Sequence, residues 1–118
     1  HYLITQHATI SDAIQKILIN RNRFLCVTGQ EETIIGCLTE GDLLRILAKE
    51  VSIYESIENY VNLSFRSVYV ANNDLLAATK NALELIRDHR LLAVPVIDSY
   101  GKLIRVVTMM DYLDELGV

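Results

Sequence analysis

Two short stretches of this chain carry the same pair of oxygen-bearing side chains at the same spacing. Gly36-Cys37-Leu38-Thr39-Glu40-Gly41-Asp42 and Arg105-Val106-Val107-Thr108-Met109-Met110-Asp111 each lead a strand-like run into a Thr, then two residues, then an Asp. The Thr stands where the strand stops, and the Asp falls in the first turn of the next helix. Residues three apart share a helix face. Free N–H groups and the positive end of the helix dipole lie there too. A carboxylate in that position can take both hydroxyls of a ribose diol, and a Thr hydroxyl can donate to a phosphate or sugar oxygen. The same spacing is close to a capping box, in which Thr and Asp serve the helix alone. A single occurrence favours the cap. Two in one β-β-α frame bring ligand binding in beside it, and the roles are compatible.

The frame itself is repeated. A shift of 69 residues lays the first half on the second without a gap from Ala13 to Lys49. Ala13/Ala82, Ile17/Ile86, Arg21/Arg90, Val27/Val96, Ile35/Ile104, Thr39/Thr108, Asp42/Asp111, Leu44/Leu113 and Leu47/Leu116 are then identical. Chance would give roughly two identities over such a stretch, so the chain is internally duplicated.

In the first copy a helix is predicted from about Ser11 to Asn20, with Ile10, Ala13, Ile14, Ile17 and Leu18 at helical spacing and Ser11 and Asp12 as caps. Strands at Phe24–Thr28 and Thr33–Leu38 flank a hairpin at Gly29-Gln30-Glu31-Glu32. A second helix follows over about Glu40–Glu50, its apolar face made of Leu43, Leu44, Ile46 and Leu47. The second copy predicts a short strand at Val68–Val70, a helix from the capping Asp74 to Arg87 or Asp88, and strands at Leu92–Ile97 and Lys102–Val107. Its closing helix spans about Met109–Leu116, with both methionines read as core. Pro95 implies an edge or bulge with its N–H side unpaired. Between the copies, Ser52-Ile53-Tyr54-Glu55 reads as a capping box opening a short helix with Ile53 and Ile57 inward. One copy alone would expose an apolar sheet face; two packed sheet to sheet would bury it.

Composition narrows the function. Net charge is −4 and the 11 Lys and Arg are scattered, so the basic stripe of a nucleic-acid binder is missing. No apolar run approaches the about 18 residues of a membrane span. The start at His1-Tyr2 has no signal-peptide pattern, and the lack of an initiator Met points to a piece of a longer, cytoplasmic protein. Cys26 and Cys37 lie in apolar strand-like runs outside any CxxC pair and read as buried, reduced thiols. His89 lies at a helix C-terminus, where a cation suits the dipole. The sequence has no P-loop, G-x-G-x-x-G or G-x-S-x-G, so it reads as a non-enzyme with no metal site.

The helix–strand–strand–helix repeat, the Val94-Pro95-Val96-Ile97-Asp98 run and the two strand–Thr-x-x-Asp–helix endings resemble a CBS domain pair, or Bateman module, over about Leu3 to Leu116. The resemblance implies an α/β (α+β) fold: two β-α-β-β-α motifs at about 3–50 and 67–116, a linker at about 51–66, pseudo-twofold symmetry, and sheets packed on each other. It implies a regulatory module binding AMP, ADP, ATP or S-adenosylmethionine between the motifs, expected as a homodimer controlling an attached catalytic or transport domain. By the same resemblance, Asp42 and Asp111 take ribose hydroxyls beside Thr39 and Thr108. Leu25, Cys26 and Val27, with Ala93, Val94 and Pro95, surround the base, and Arg23, His89 and Arg90 face phosphates. The alternative is a ligand-free module that only dimerises its parent. Two departures from the family pattern stand out. Arg105 replaces the glycine found at Gly36, and Gly29 stands where the second copy has Asp98.

Overall fold

The computed structural model describes residues 1–20 and 23–117. Arg21, half of the Arg21/Arg90 identity, lies outside the described residues. The chain divides into two compact units, His1–Phe65 and Arg66–Val118. The first contains β1 (Leu3–Thr5), α1 (Ile10–Ile19), β2 (Phe24–Thr28), β3 (Ile34–Thr39) and α2 (Glu40–Leu47). The second contains β4 (Val68–Tyr69), α3 (Leu75–His89), β5 (Ala93–Ile97), β6 (Leu103–Thr108) and α4 (Met109–Glu115). The α+β class is as expected.

Each unit holds a three-stranded sheet, ordered β1-β2-β3 and β4-β5-β6. The first two strands of each are parallel, and α1 or α3 provides the crossover that parallel pairing requires. The last two are antiparallel. The duplication holds to the single residue: Phe24 pairs with Thr39 as Ala93 pairs with Thr108, and a bulge falls after Val27 and after Val96. Helices pack on one face of each sheet. In the first unit Ile10, Ala13, Ile17, Leu25, Val27, Leu38, Leu43 and Ile46 form the aliphatic core. In the second, Ala78, Ala82, Ile86, Val94, Val96 and Val107 do so. Side chains alternate across a strand, so Cys26, Cys37, Pro95 and Val106 lie on the opposite face of their sheets.

Several expectations need correction. Leu18 is 80% exposed and Leu44 62%, because short helices against one sheet face bury a narrower stripe than their sequences offer. Met110 is exposed and only Met109 packs on the core. The cap of α1 is Thr9, not Ser11: Thr9 Oγ1 accepts from Asp12 N, and the Asp12 carboxylate accepts from Thr9 N. The helix starts early because Ile10 N and Ser11 N find partners in the carbonyls of Glu55 and Ile53.

Residues 51–62 belong to the first unit's packing. Ile57 is fully buried in its core, with Val51, Tyr60 and Val61 packed around it. The short helix there is a 3-10 turn, Ile57–Asn59, capped by Ser56 and not by Ser52, and Ile53 points outward. The Glu55 carboxylate accepts from Tyr60 Oη in place of closing a box with Ser52.

Pro95 lies in the central strand of its sheet, not at an edge. In the first unit the matching Cys26 N donates to Tyr2 O and β1 starts pairing at Leu3. Pro95 has no N–H to give, and β4 pairs only from Val68. The unpaired N side is accommodated by a shorter partner. The hairpins differ as their sequences do. Asp98 Oδ1 accepts from Tyr100 N and Lys102 N, whereas the Gly29 hairpin uses a 3-10 turn with Glu31 and Glu32 at positive φ.

Candidate functional site

Both strand-ending Thr-x-x-Asp motifs are complete capping boxes, as is Thr9/Asp12 at the start of α1. Asp42 Oδ2 accepts from Thr39 N (2.8 Å) and Thr39 Oγ1 (3.0 Å), while Thr39 Oγ1 accepts from Asp42 N (3.2 Å). Asp111 Oδ2 accepts from Thr108 N (2.7 Å) and Thr108 Oγ1 (3.1 Å), and Thr108 Oγ1 accepts from Asp111 N (3.2 Å). One oxygen of each carboxylate is therefore spent on the helix end, and each Thr proton is held by its own Asp. What remains for an outside diol is Oδ1.

That second oxygen is treated differently in the two units. In the first, Arg45 Nη2 donates to Asp42 Oδ1 from one turn along α2. The residue matching Arg45 in the repeat is Asp114, which reverses the charge. Among the described residues no hydrogen bond reaches Asp111 Oδ1; the nearest cation is Arg105, whose Nη2 lies 4.0 Å from Oδ2. Arg45 was missed by sequence reasoning, although a cation three residues after an acid on a helix is a legible signal.

Gly36 is explained inside its own unit. A Cβ there would stand 2.2 Å from Val61 Cγ1 and 2.7 Å from Asn62 O. Asn62 forms an antiparallel bridge with Cys37, its N and O bonding Cys37 O and N at 3.0 Å each. Gly36 is thus required by the chain crossing over β3. Arg105, at the same strand position, is exposed.

The remaining expected site residues separate by face. Leu25, Val27 and Val94 point their side chains into the helix-packed cores, so only their backbone could meet a ligand. Cys26, Ala93 and Pro95 lie on the other face, all buried. Arg23, at φ 54°, pairs through Nε with Glu40 Oε2 at 3.2 Å, beside the Thr39/Asp42 box. Its backbone carbonyl accepts from Glu40 N, as Leu92 O accepts from Met109 N in the second unit. The ion pair Arg23–Glu40 is thus matched by the apolar pair Leu92–Met109. His89 ends α3 and Arg90 caps it in the left-handed conformation; both are exposed. A groove of about 510 Å³ opens along the β1 edge of the first unit, lined by Leu3, Thr5, Asp12, Gln15, Lys16 and Ile19 among others. None of the expected site residues lines it. Among the described residues no helix is long and apolar enough to cross a membrane, and no three His, Cys, Asp or Glu side chains group as metal ligands.

A family model described as CBS domain matches residues 2–49 and 78–118, so that both units are covered. The chain belongs to the CBS domain family. This CBS pair is 28% identical to the magnesium transporter MgtE of Bacillus subtilis over 116 residues, covering 94% of this chain and 24% of that protein. It superposes with a TM-score of 0.73 on a CBS domain protein from Pyrobaculum aerophilum complexed with AMP, at 23% identity over 98% of this chain and 89% of that one. The cytosolic domain of the Mg2+ channel MgtE in complex with ATP gives 0.74, at 17% identity over 98% of this chain and 44% of that one. The CBS pair spans between 24% and 39% of the length of the curated relatives it matches.

Proposed function

We propose that this CBS pair is a cytoplasmic regulatory module that binds an adenosine-containing nucleotide through its Thr-x-x-Asp boxes and transmits occupancy to an attached or partner protein. The observation that carries the reading is the pair of matched boxes, each turning one carboxylate oxygen away from its helix cap: Asp111 Oδ1 accepts no hydrogen bond among the described residues, and Asp42 Oδ1 meets only the exposed Arg45. A ribose diol is the fitting occupant, because two adjacent hydroxyls can donate to one such carboxylate. The AMP and ATP held by the two solved relatives support the ligand class, with ADP and S-adenosylmethionine as further members. Thr39, Asp42, Thr108 and Asp111 serve the sugar. Cys26, Ala93 and Pro95, with the backbone of Leu25, Val27 and Val94, serve the base, and Arg23, His89 and Arg90 the phosphates. The parent would be a larger transport or catalytic protein and the module a homodimer; a magnesium transporter of which the chain spans 24% supports an attached transport domain. Binding would then favour one state of that parent by differential affinity.

A second reading, a ligand-free dimerisation module, is favoured by one observation: Arg45 already occupies the open oxygen of Asp42. Calorimetric titration with AMP, ADP, ATP and S-adenosylmethionine separates the two. Binding below millimolar that is lost in Asp42→Ala or Asp111→Ala supports the sensor. No binding by any of the four leaves the dimerisation module. Binding insensitive to both substitutions keeps the function and overturns the site.

A further inference from the structure

Cys26 and Cys37 face each other across the first unit's hairpin. Their peptide groups point away from one another: Cys26 N donates outward to Tyr2 O at 2.7 Å, and both peptide groups of Cys37 bond Asn62. The two therefore form a non-hydrogen-bonded antiparallel pair, the kind with Cα atoms about 4.5 Å apart and side chains closest. That spacing lies at the short end of the about 4.4–6.8 Å range a disulfide spans. Both side chains lie on the sheet face away from the helices, and both thiols are free and buried.

We propose that Cys26 and Cys37 are a latent cross-strand disulfide site, closed by exchange with a small-molecule disulfide such as oxidised glutathione. One deprotonated thiol attacks a sulfur of the reagent and releases one glutathione thiolate. The partner thiolate then attacks the mixed disulfide at the cysteine sulfur and releases the second. The reagent takes up two electrons and the two thiol protons, and the protein loses two hydrogens. The neighbouring Cys26 thiol, burial and the charge of Asp42 all push the Cys37 thiol up, so the closed fold resists the first step. Exchange is slow in the folded unit and fast when the β3 edge opens. The second unit cannot do this chemistry, because Pro95 and Val106 hold the equivalent positions. The product bond would fix β3 two residues ahead of Thr39, independently of any nucleotide.

The test is to unfold the chain in urea, dilute it into oxidised glutathione, and weigh it without reductant. The expected product is a monomer lighter by two hydrogens, with no titratable thiol and one cross-linked peptide joining Cys26 to Cys37. Its urea midpoint is expected to rise by roughly 1 M and to return with dithiothreitol. Cys37→Ser and Cys26→Ser should each stop at a single glutathione adduct. Stable adducts on the unsubstituted chain, disulfide-linked dimers, or two free thiols after refolding would each overturn the proposal. So would a lowered midpoint for the oxidised monomer.

Discussion

Arg45 donates to Asp42 Oδ1, the carboxylate oxygen left open by the cap that Asp42 forms with Thr39. A ribose diol reaching Asp42 has to displace that guanidinium. Arg45 is mostly exposed, so its pairing with Asp42 is worth at most about 1 kcal/mol. Arg45→Ala in an Asp111→Ala background is expected to leave stability nearly unchanged and to tighten adenosine binding by up to about fivefold, the same energy read as affinity. Calorimetry with adenosine, which lacks phosphate, makes the comparison clean. Weaker binding in the variant would make Arg45 a ligand contact and not a competitor.

The three Thr-x-x-Asp boxes separate capping from binding. Thr9→Ala, Thr39→Ala and Thr108→Ala should each lose about 1 kcal/mol in urea unfolding, since each removes an N-cap acceptor. Under the proposed function only Thr39→Ala and Thr108→Ala should also weaken nucleotide binding. Thr9→Ala supplies the control for instability alone. Equal losses of affinity in all three would mean that binding follows stability.

Gly36 and Arg105 hold equivalent strand positions with opposite tolerance. Gly36→Ala drives a methyl into Val61 and the Asn62 carbonyl and is expected to cost about 1–3 kcal/mol, read from the urea midpoint. Arg105→Gly should cost less than about 1 kcal/mol, the span of strand propensity at an exposed site.

Acid stability should carry a signature of Asp12. Bonds from the Thr9 backbone and hydroxyl hold its carboxyl below the ordinary value of 3.8. A depressed carboxyl contributes stability that is fully present above 3.8 and lost as pH falls through its lowered folded value. An NMR titration of the Asp12 carboxyl should therefore show a midpoint below 3.8, moving upward in Thr9→Val. An unshifted midpoint in the parent protein would remove Thr9 as the cause.

The architecture was legible because the duplication constrained every element twice: Thr39 and Thr108 end their strands, and Asp74 caps α3 where it was expected. Helix ends set by distant backbone were not legible. Nothing near Thr9 announces that carbonyls at Ile53 and Glu55 will complete its helix. Side-chain direction also escaped a reading by strand alone, since Leu25 and Cys26 are neighbours on opposite faces. The capping role of the box was legible in its spacing, but not how the carboxylate divides, with Oδ2 spent on its own helix and Oδ1 turned outward. The Cys26–Cys37 pairing needs the bulged register, which spacing in the chain does not fix.

The contact of Val61 and Asn62 with Gly36 also bears on how the two copies could diverge. Position 36 is bound to the segment that follows its own copy, and any side chain there meets Val61 and the Asn62 backbone. Position 105 is exposed and carries a charge 4.0 Å from Asp111. The two halves are therefore not exchangeable parts. Arg at position 36 would be driven against Val61 and Asn62 and should cost more stability than Gly36→Ala, while Gly at position 105 should cost less than about 1 kcal/mol. At this position the two copies tolerate exchange unequally.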